Sequence, residues 1–136
     1  MKIAFSRSAA ATFALGPLTA LCGAASADAT QLTAEGGKET RLAFISEVNP
    51  DCSFGGLPTV QIVGAAEHGQ IDIRTERRFP SFEEGNPRFG CNRWRAKGIG
   101  VYYTPDEGFL GDDSVTLRYQ FESGGGGEAD YAITVK

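Results

Sequence analysis

Histidine is almost missing from this chain: His68 is the single one in 136 residues. Cysteine is nearly as scarce. There are three, and Cys22 lies in an apolar N-terminal stretch, which leaves Cys52 and Cys91. One histidine and two cysteines far apart cannot supply the four soft ligands of a structural zinc site. A nucleophile–histidine pair would have to be built on His68 alone. A phosphate-binding glycine loop is absent too. The run "SGGGGE" at 123–128 has neither the lysine nor the following helix that such a loop needs. Beyond residue 27 no apolar run is long enough to span a bilayer, and no helical period is sustained. These scarcities leave no catalytic residue to nominate. Neither an enzyme activity nor a cofactor is expected.

What is present begins with an address. Lys2 and Arg7 precede an uncharged run of small and apolar residues at 8–23, and Ala25-Ser26-Ala27 fits the small-x-small rule for a cut before Asp28. Residues 1–27 therefore read as a signal peptide. The alternative is an N-terminal membrane anchor, but Gly16-Pro17 interrupts the run and its length is short for a span. A lipid-modified Cys22 would want a small residue directly before it, and Leu21 stands there. The protein is expected to be secreted, periplasmic or extracellular, and not membrane-spanning after cleavage. Residues 28–136 make one domain of 109 residues with 11 basic and 17 acidic side chains. An acidic total argues against nucleic acid as the partner. Two cysteines in a secreted chain of this size read as one disulfide, Cys52–Cys91.

The domain reads as short strands. Residues 40–48, 59–63, 70–75, 99–104, 114–122 and 130–136 carry β-forming side chains, several in strict alternation. Val115, Leu117, Tyr119 and Phe121 face one way, with Thr116, Arg118 and Gln120 opposite; Tyr131, Ile133 and Val135 repeat the pattern. Turn signals at 67–70, 105–108, 110–113 and 123–128 separate the strands. Residues 76–97 break the rhythm and read as one long loop or a pair of irregular edge strands. The expected class is all-β.

At "YTPDEGFLGDDSVTLRY", residues 103–119, a resemblance becomes visible. Tyr103, Pro105, Phe109, Gly111 and Asp113 stand where the bacterial immunoglobulin-like, cadherin-like domains of secreted and surface proteins carry Tyr-x-Pro and then Phe-x-Gly-x-Asp. "AAEHGQIDI" at 65–73 and "ADYAITVK" at 129–136 are similar to other strands of that family. Val115 and Leu117 depart from its aromatic preference, and residues 76–97 and the cysteine pair lie outside its pattern. The resemblance implies an immunoglobulin-like antiparallel β-sandwich of about seven strands. Within it the five motif residues form a corner: Tyr103 and Phe109 fill core, Pro105 and Gly111 shape the turn, and Asp113 accepts backbone N–H groups. The family also holds calcium between neighbouring repeats. Asp106, Glu107, Asp112 and Asp113 raise that question here, but their spacing matches no calcium loop and the expectation is no metal. His68 falls in the family's His-Gly turn, which implies a structural role.

The strongest anomaly is the distribution of charge. Residues 74–97 hold Arg74, Arg77, Arg78, Arg88, Arg93, Arg95 and Lys97 against three glutamates, a local net of +4, while the rest of the domain is −10. Phe79, Phe82, Phe89 and Trp94, the sole tryptophan, are interleaved. Arginine beside exposed aromatics anchors interfaces and suits stacking on sugars. The competing possibility is that the aromatics are local core and the arginines pair with the domain's own acids. Arg77, Arg78, Arg88, Arg93, Trp94, Arg95 and Lys97 are the candidate binding residues. The expected function is a binding or accessory module that contacts an envelope or surface protein, or an anionic glycan, through a disulfide-pinned loop. The alternatives are an adhesive matrix component without a discrete site and a small enzyme or inhibitor.

Overall fold

The computed structural model describes residues 28–136. Residues 1–27, expected to be a signal peptide, and Cys22 among them, lie outside the described residues. Among the described residues, nine strands follow one another without an α-helix: β1 Thr30–Ala34, β2 Thr40–Ile45, β3 Glu47–Val48, β4 Phe54–Gly56, β5 Thr59–Gly64, β6 Gly69–Arg78, β7 Ala96–Pro105, β8 Gly111–Gln120 and β9 Gly126–Val135. A 3-10 turn at Phe89–Arg93 interrupts the long β6–β7 connection. The strands form a four-stranded sheet ordered β1-β9-β8-β5, a three-stranded sheet ordered β2-β7-β6, and the small β3-β4 pair.

Alternation in the sequence becomes burial in the fold. Val115 and Leu117 on β8 and Ile133 and Val135 on β9 are almost wholly buried. They meet Leu42 of β2 and Ile99, Val101 and Tyr103 of β7 in one hydrophobic cluster shared by the two larger sheets. Each such side chain removed from water contributes about 1.5–3 kcal/mol. β7 is the centre of its sheet and is buried on both faces, from Gly98 to Tyr103. Its outward residues are therefore Gly98, Gly100 and Tyr102, and the space above the glycines is already filled. A Cβ on Gly98 would lie 2.5 Å from the Ile45 carbonyl oxygen, and the Phe44 ring covers the same spot.

The all-β expectation holds, with differences in detail. The β1–β9 pair is parallel, Thr30 opposite Tyr131, where an antiparallel arrangement was expected. β1 and β4 show no period in the sequence: "TQLTA" and "FGG" are too short and too polar or flexible to carry one. β6 and β7 run farther than their alternation suggested. They pair through Arg77↔Lys97 and Arg78↔Ala96, so the irregular connection is residues 79–95 rather than 76–97. The glycines at 126 and 127 belong to β9, and the turn before them is closed by Phe121 N–H to the Gly125 carbonyl at 3.0 Å.

Candidate functional site

The connection at 79–95 is fixed in place. Cys91 is 2% exposed and bonded to Cys52, whose Cα lies 5.3 Å away. The bond ties the connection to the β3–β4 turn, where Cys52 itself adopts φ 68°. Asn92 then clamps Phe82 from both sides: its Oδ1 accepts the Phe82 N–H and its Nδ2 donates to the Phe82 carbonyl, each at 2.8 Å. Arg88 donates its Nε–H to the Val48 carbonyl, and Pro80 is buried. A long connection held at four points is a platform rather than a flexible strap.

Where the connection leaves β6 and returns to β7, cations collect. Arg77 and Lys97 face each other directly across the ladder. Like charges so placed repel. The Arg77 guanidinium donates to the Arg95 carbonyl at 3.2 Å. Arg95 lies over the Phe79 ring at 5.3 Å, and Lys97 over the Phe54 ring at 5.9 Å. Phe54 and Phe79 are 55% and 56% exposed. Two shallow depressions adjoin this row. One, of about 290 Å³, has Phe54, Arg77, Arg95 and Lys97 in its wall. The other, of about 210 Å³, is lined by Arg41, Arg77, Arg78, Phe79 and Arg95. Arg77 and Arg95 border both.

Several of the domain's acids are engaged elsewhere. Among the described residues, Arg41, Arg77, Arg95 and Lys97 make no ion pair, and Arg78 reaches only Glu76, at 3.9 Å. Arg74 is the contrast. It pairs with Glu39 at 2.7 Å and Asp72 at 2.9 Å and stacks on Tyr102 at 3.7 Å. The hydrogen bond it donates to the Glu39 carboxylate holds its guanidinium charged well beyond the usual range, against some loss of water. Glu47 lines the larger depression, but its carboxylate accepts the N–H groups of Glu122 at 2.9 Å and Ser123 at 3.1 Å. Ser123 above all holds it below the ordinary carboxylate range.

Of the seven expected binding residues, four therefore come together: Arg77, Arg78, Arg95 and Lys97. Arg88 is half-buried and turned toward Val48, in a neighbouring cleft of about 370 Å³ that shares Glu47 and Val48 with the larger depression and is otherwise lined by Asn49, Phe82 and Phe121 among others. Arg93 bonds back to the Gly90 carbonyl, and it and the 64% exposed Trp94 lie outside both depressions. Arg41 and Phe54, which complete the surface, come from β2 and β4. No local sequence signal links them to residues 77–97; only the sheet pairing and the disulfide do.

The corner motif lies elsewhere, between β7 and β8. Asp113 is buried, and its Oδ1 accepts the Glu67 N–H at 3.0 Å and the Ser114 N–H at 2.9 Å. Its Oδ2 accepts the His68 N–H at 3.0 Å and the Tyr103 hydroxyl at 2.8 Å. Burial opposes the charge, but these four donors outweigh it and hold the carboxyl below its usual range. Burial, and then the hydrogen bond to Asp113, push the Tyr103 phenol far up. Pro105 is buried where the strand ends, and Gly111 takes φ 134°, which a side chain would resist. His68 stacks on Phe109 with ring centres 4.2 Å apart. The acids of this corner diverge, since Asp112 accepts from Thr134 on β9 at 3.0 Å while Asp113 points inward. Among the described residues no group of three or more acids, histidines or cysteines is gathered around a cation position.

A scan against protein-family models gives no match, and a search of curated proteins gives none. Among solved structures, the solution structure of amebosin is similar over 79% of this chain and 89% of that one, at 14% identity and a TM-score of 0.42.

Proposed function

We propose that this chain is a secreted binding or accessory module with an immunoglobulin-like sandwich, and that it contacts an envelope protein or an anionic glycan through its basic, aromatic edge. The observation that carries the reading is the placement of Arg77 and Arg95. They stand without acidic partners between two half-exposed phenylalanines, at the mouth of a hairpin whose own cross-strand charges repel. Charges left unneutralised by the fold are charges kept for a partner. The strand order β1-β9-β8-β5 against β2-β7-β6 supports the immunoglobulin-like arrangement, as do the hydrogen bonds of the Tyr103–Asp113 corner. The Cys52–Cys91 disulfide favours an oxidising compartment. No helix among the described residues is long and apolar enough to cross a membrane. Stacking of His68 on Phe109 argues for binding over catalysis, because it commits the lone histidine to the corner.

The test is a crosslinking pull-down from the native envelope. The bait is the purified protein, beside an Arg77→Gln/Arg95→Gln variant shown to be folded by circular dichroism. A protein or glycan recovered with the wild type and absent with the variant supports the reading; identical recoveries overturn it.

A second reading has its own observation. β5 is an edge strand, and Ile62 and Val63 on it are 39% and 44% exposed. Such an edge favours pairing with another copy, as an adhesive or matrix component would need. Sedimentation that depends on concentration and is abolished by Ile62→Lys would support this alternative.

A further inference from the structure

The geometry points to an acidic polysaccharide, a chain of sugar rings bearing carboxylate or sulfate groups, as the ligand of the Arg77–Arg95 surface. This rests on the binding role proposed above and narrows it to one chemistry.

The surface is built of a repeated unit. Lys97 lies over Phe54 and Arg95 lies over Phe79, one cation and one ring in each case. Each unit adjoins its own depression, of about 290 and about 210 Å³, and Arg77 and Arg95 stand on the boundary of both. A ring-and-cation unit used twice in a row fits a ligand that itself repeats. An aromatic face stacks on the C–H face of a pyranose, while the arginine fork takes the carboxylate or sulfate at its edge.

A protein partner would call for a different surface. The core of a protein interface is depleted in charge. Here the two depressions gather five cations, Arg41, Arg77, Arg78, Arg95 and Lys97, and the exposed large apolar side chains that border them are the aromatic Phe54 and Phe79. The exposed aliphatic residues Ile62, Val63, Ile73 and Leu110 line neither. A nucleic acid suits the molecule less well. Its dense backbone charge would face a domain whose remaining residues carry a net −10. An acidic glycan spaces its charges at sugar intervals and offers ring faces between them.

The experiment is affinity electrophoresis of the purified protein through gels holding polygalacturonate, dextran sulfate, neutral dextran or single-stranded DNA. Retardation by polygalacturonate or dextran sulfate, but not by neutral dextran, is expected; the stronger of the two identifies the acid group. Arg77→Gln and Arg95→Gln should each weaken it about tenfold, the loss of one charge-assisted hydrogen bond. Phe79→Ala should weaken it through lost stacking. Arg93→Gln removes the same charge outside both depressions and should leave retardation unchanged. Equal loss in Arg93→Gln and Arg77→Gln would reduce the effect to net charge and overturn the assignment. Retardation by DNA as strong as by either polysaccharide would overturn it as well, as would no retardation at all. In that last case the pull-down decides separately: a protein still lost from the Arg77→Gln/Arg95→Gln variant leaves the binding role standing with a protein partner.

Discussion

Asp113 carries four hydrogen bonds on one carboxylate, from two strands and a turn. Asp113→Ala strands those donors in a buried place and should lower stability by about 3 kcal/mol, measured by urea denaturation. The pH dependence follows from its lowered pKa. The charged form is favoured in the folded state, so the stabilisation is complete above the ordinary value of 3.8 and is lost as pH falls from there through the lower folded value. A series of urea midpoints from pH 6 to pH 2 should show that fall, and Asp113→Asn should flatten it. The motif around Asp113 was legible because all its parts are local or stand at familiar spacings. Arg77 gives the opposite sign. Relieving its repulsion with Lys97 by Arg77→Gln should raise the stability of the free protein by about 0.5 kcal/mol, read as a higher melting temperature.

At the level of elements, legibility followed burial on one face. β8 and β9 have a dry face and a wet face, and their period of two shows it. β7 is covered on both faces, so its signal is not alternation but glycine set among large residues, "GIGVYY". Gly98→Ala tests that reading. Its Cβ would meet the backbone carbonyl of Ile45, which cannot swing away, and a loss of about 1–3 kcal/mol is expected in thermal melts. β6 ends in Glu-Arg-Arg, which no propensity marks as strand; the ladder to β7 holds it extended. The connection at 79–95 is visible in the sequence as irregular, and the cysteine count gives the Cys52–Cys91 bond that pins it, but the clamp of Asn92 on Phe82 is not visible, since it forms only in three dimensions. Replacing both Cys52 and Cys91 with serine reopens a loop with a sequence separation of 39. It should lower stability by about 4 kcal/mol in guanidinium titrations, with limited proteolysis cutting first between residues 79 and 95.

For the whole molecule, composition announces the basic, aromatic surface and topology assembles it. The excess of cations between Arg74 and Lys97 is plain in the sequence. That Arg41 and Phe54 join it, while Arg88 turns toward Val48 and the exposed Arg74 is neutralised by Glu39 and Asp72, depends on pairings among distant strands. The domain is also polarised, with a positive edge on a negative body, which orients an approaching anion before contact. β9 sits between β8 and β1, so a chain that stops at residue 125 loses the partner of both. Such a truncated chain should show no cooperative unfolding transition by far-ultraviolet circular dichroism.

The parallel pairing of Thr30 with Tyr131 also sets a clock. A ribosome delivers β1 well before β9, so the earlier strand waits, unpaired, for nearly the whole length of the domain to emerge. No half-made domain can close its four-stranded sheet. Assembly of that sheet is thereby deferred until β9 has emerged.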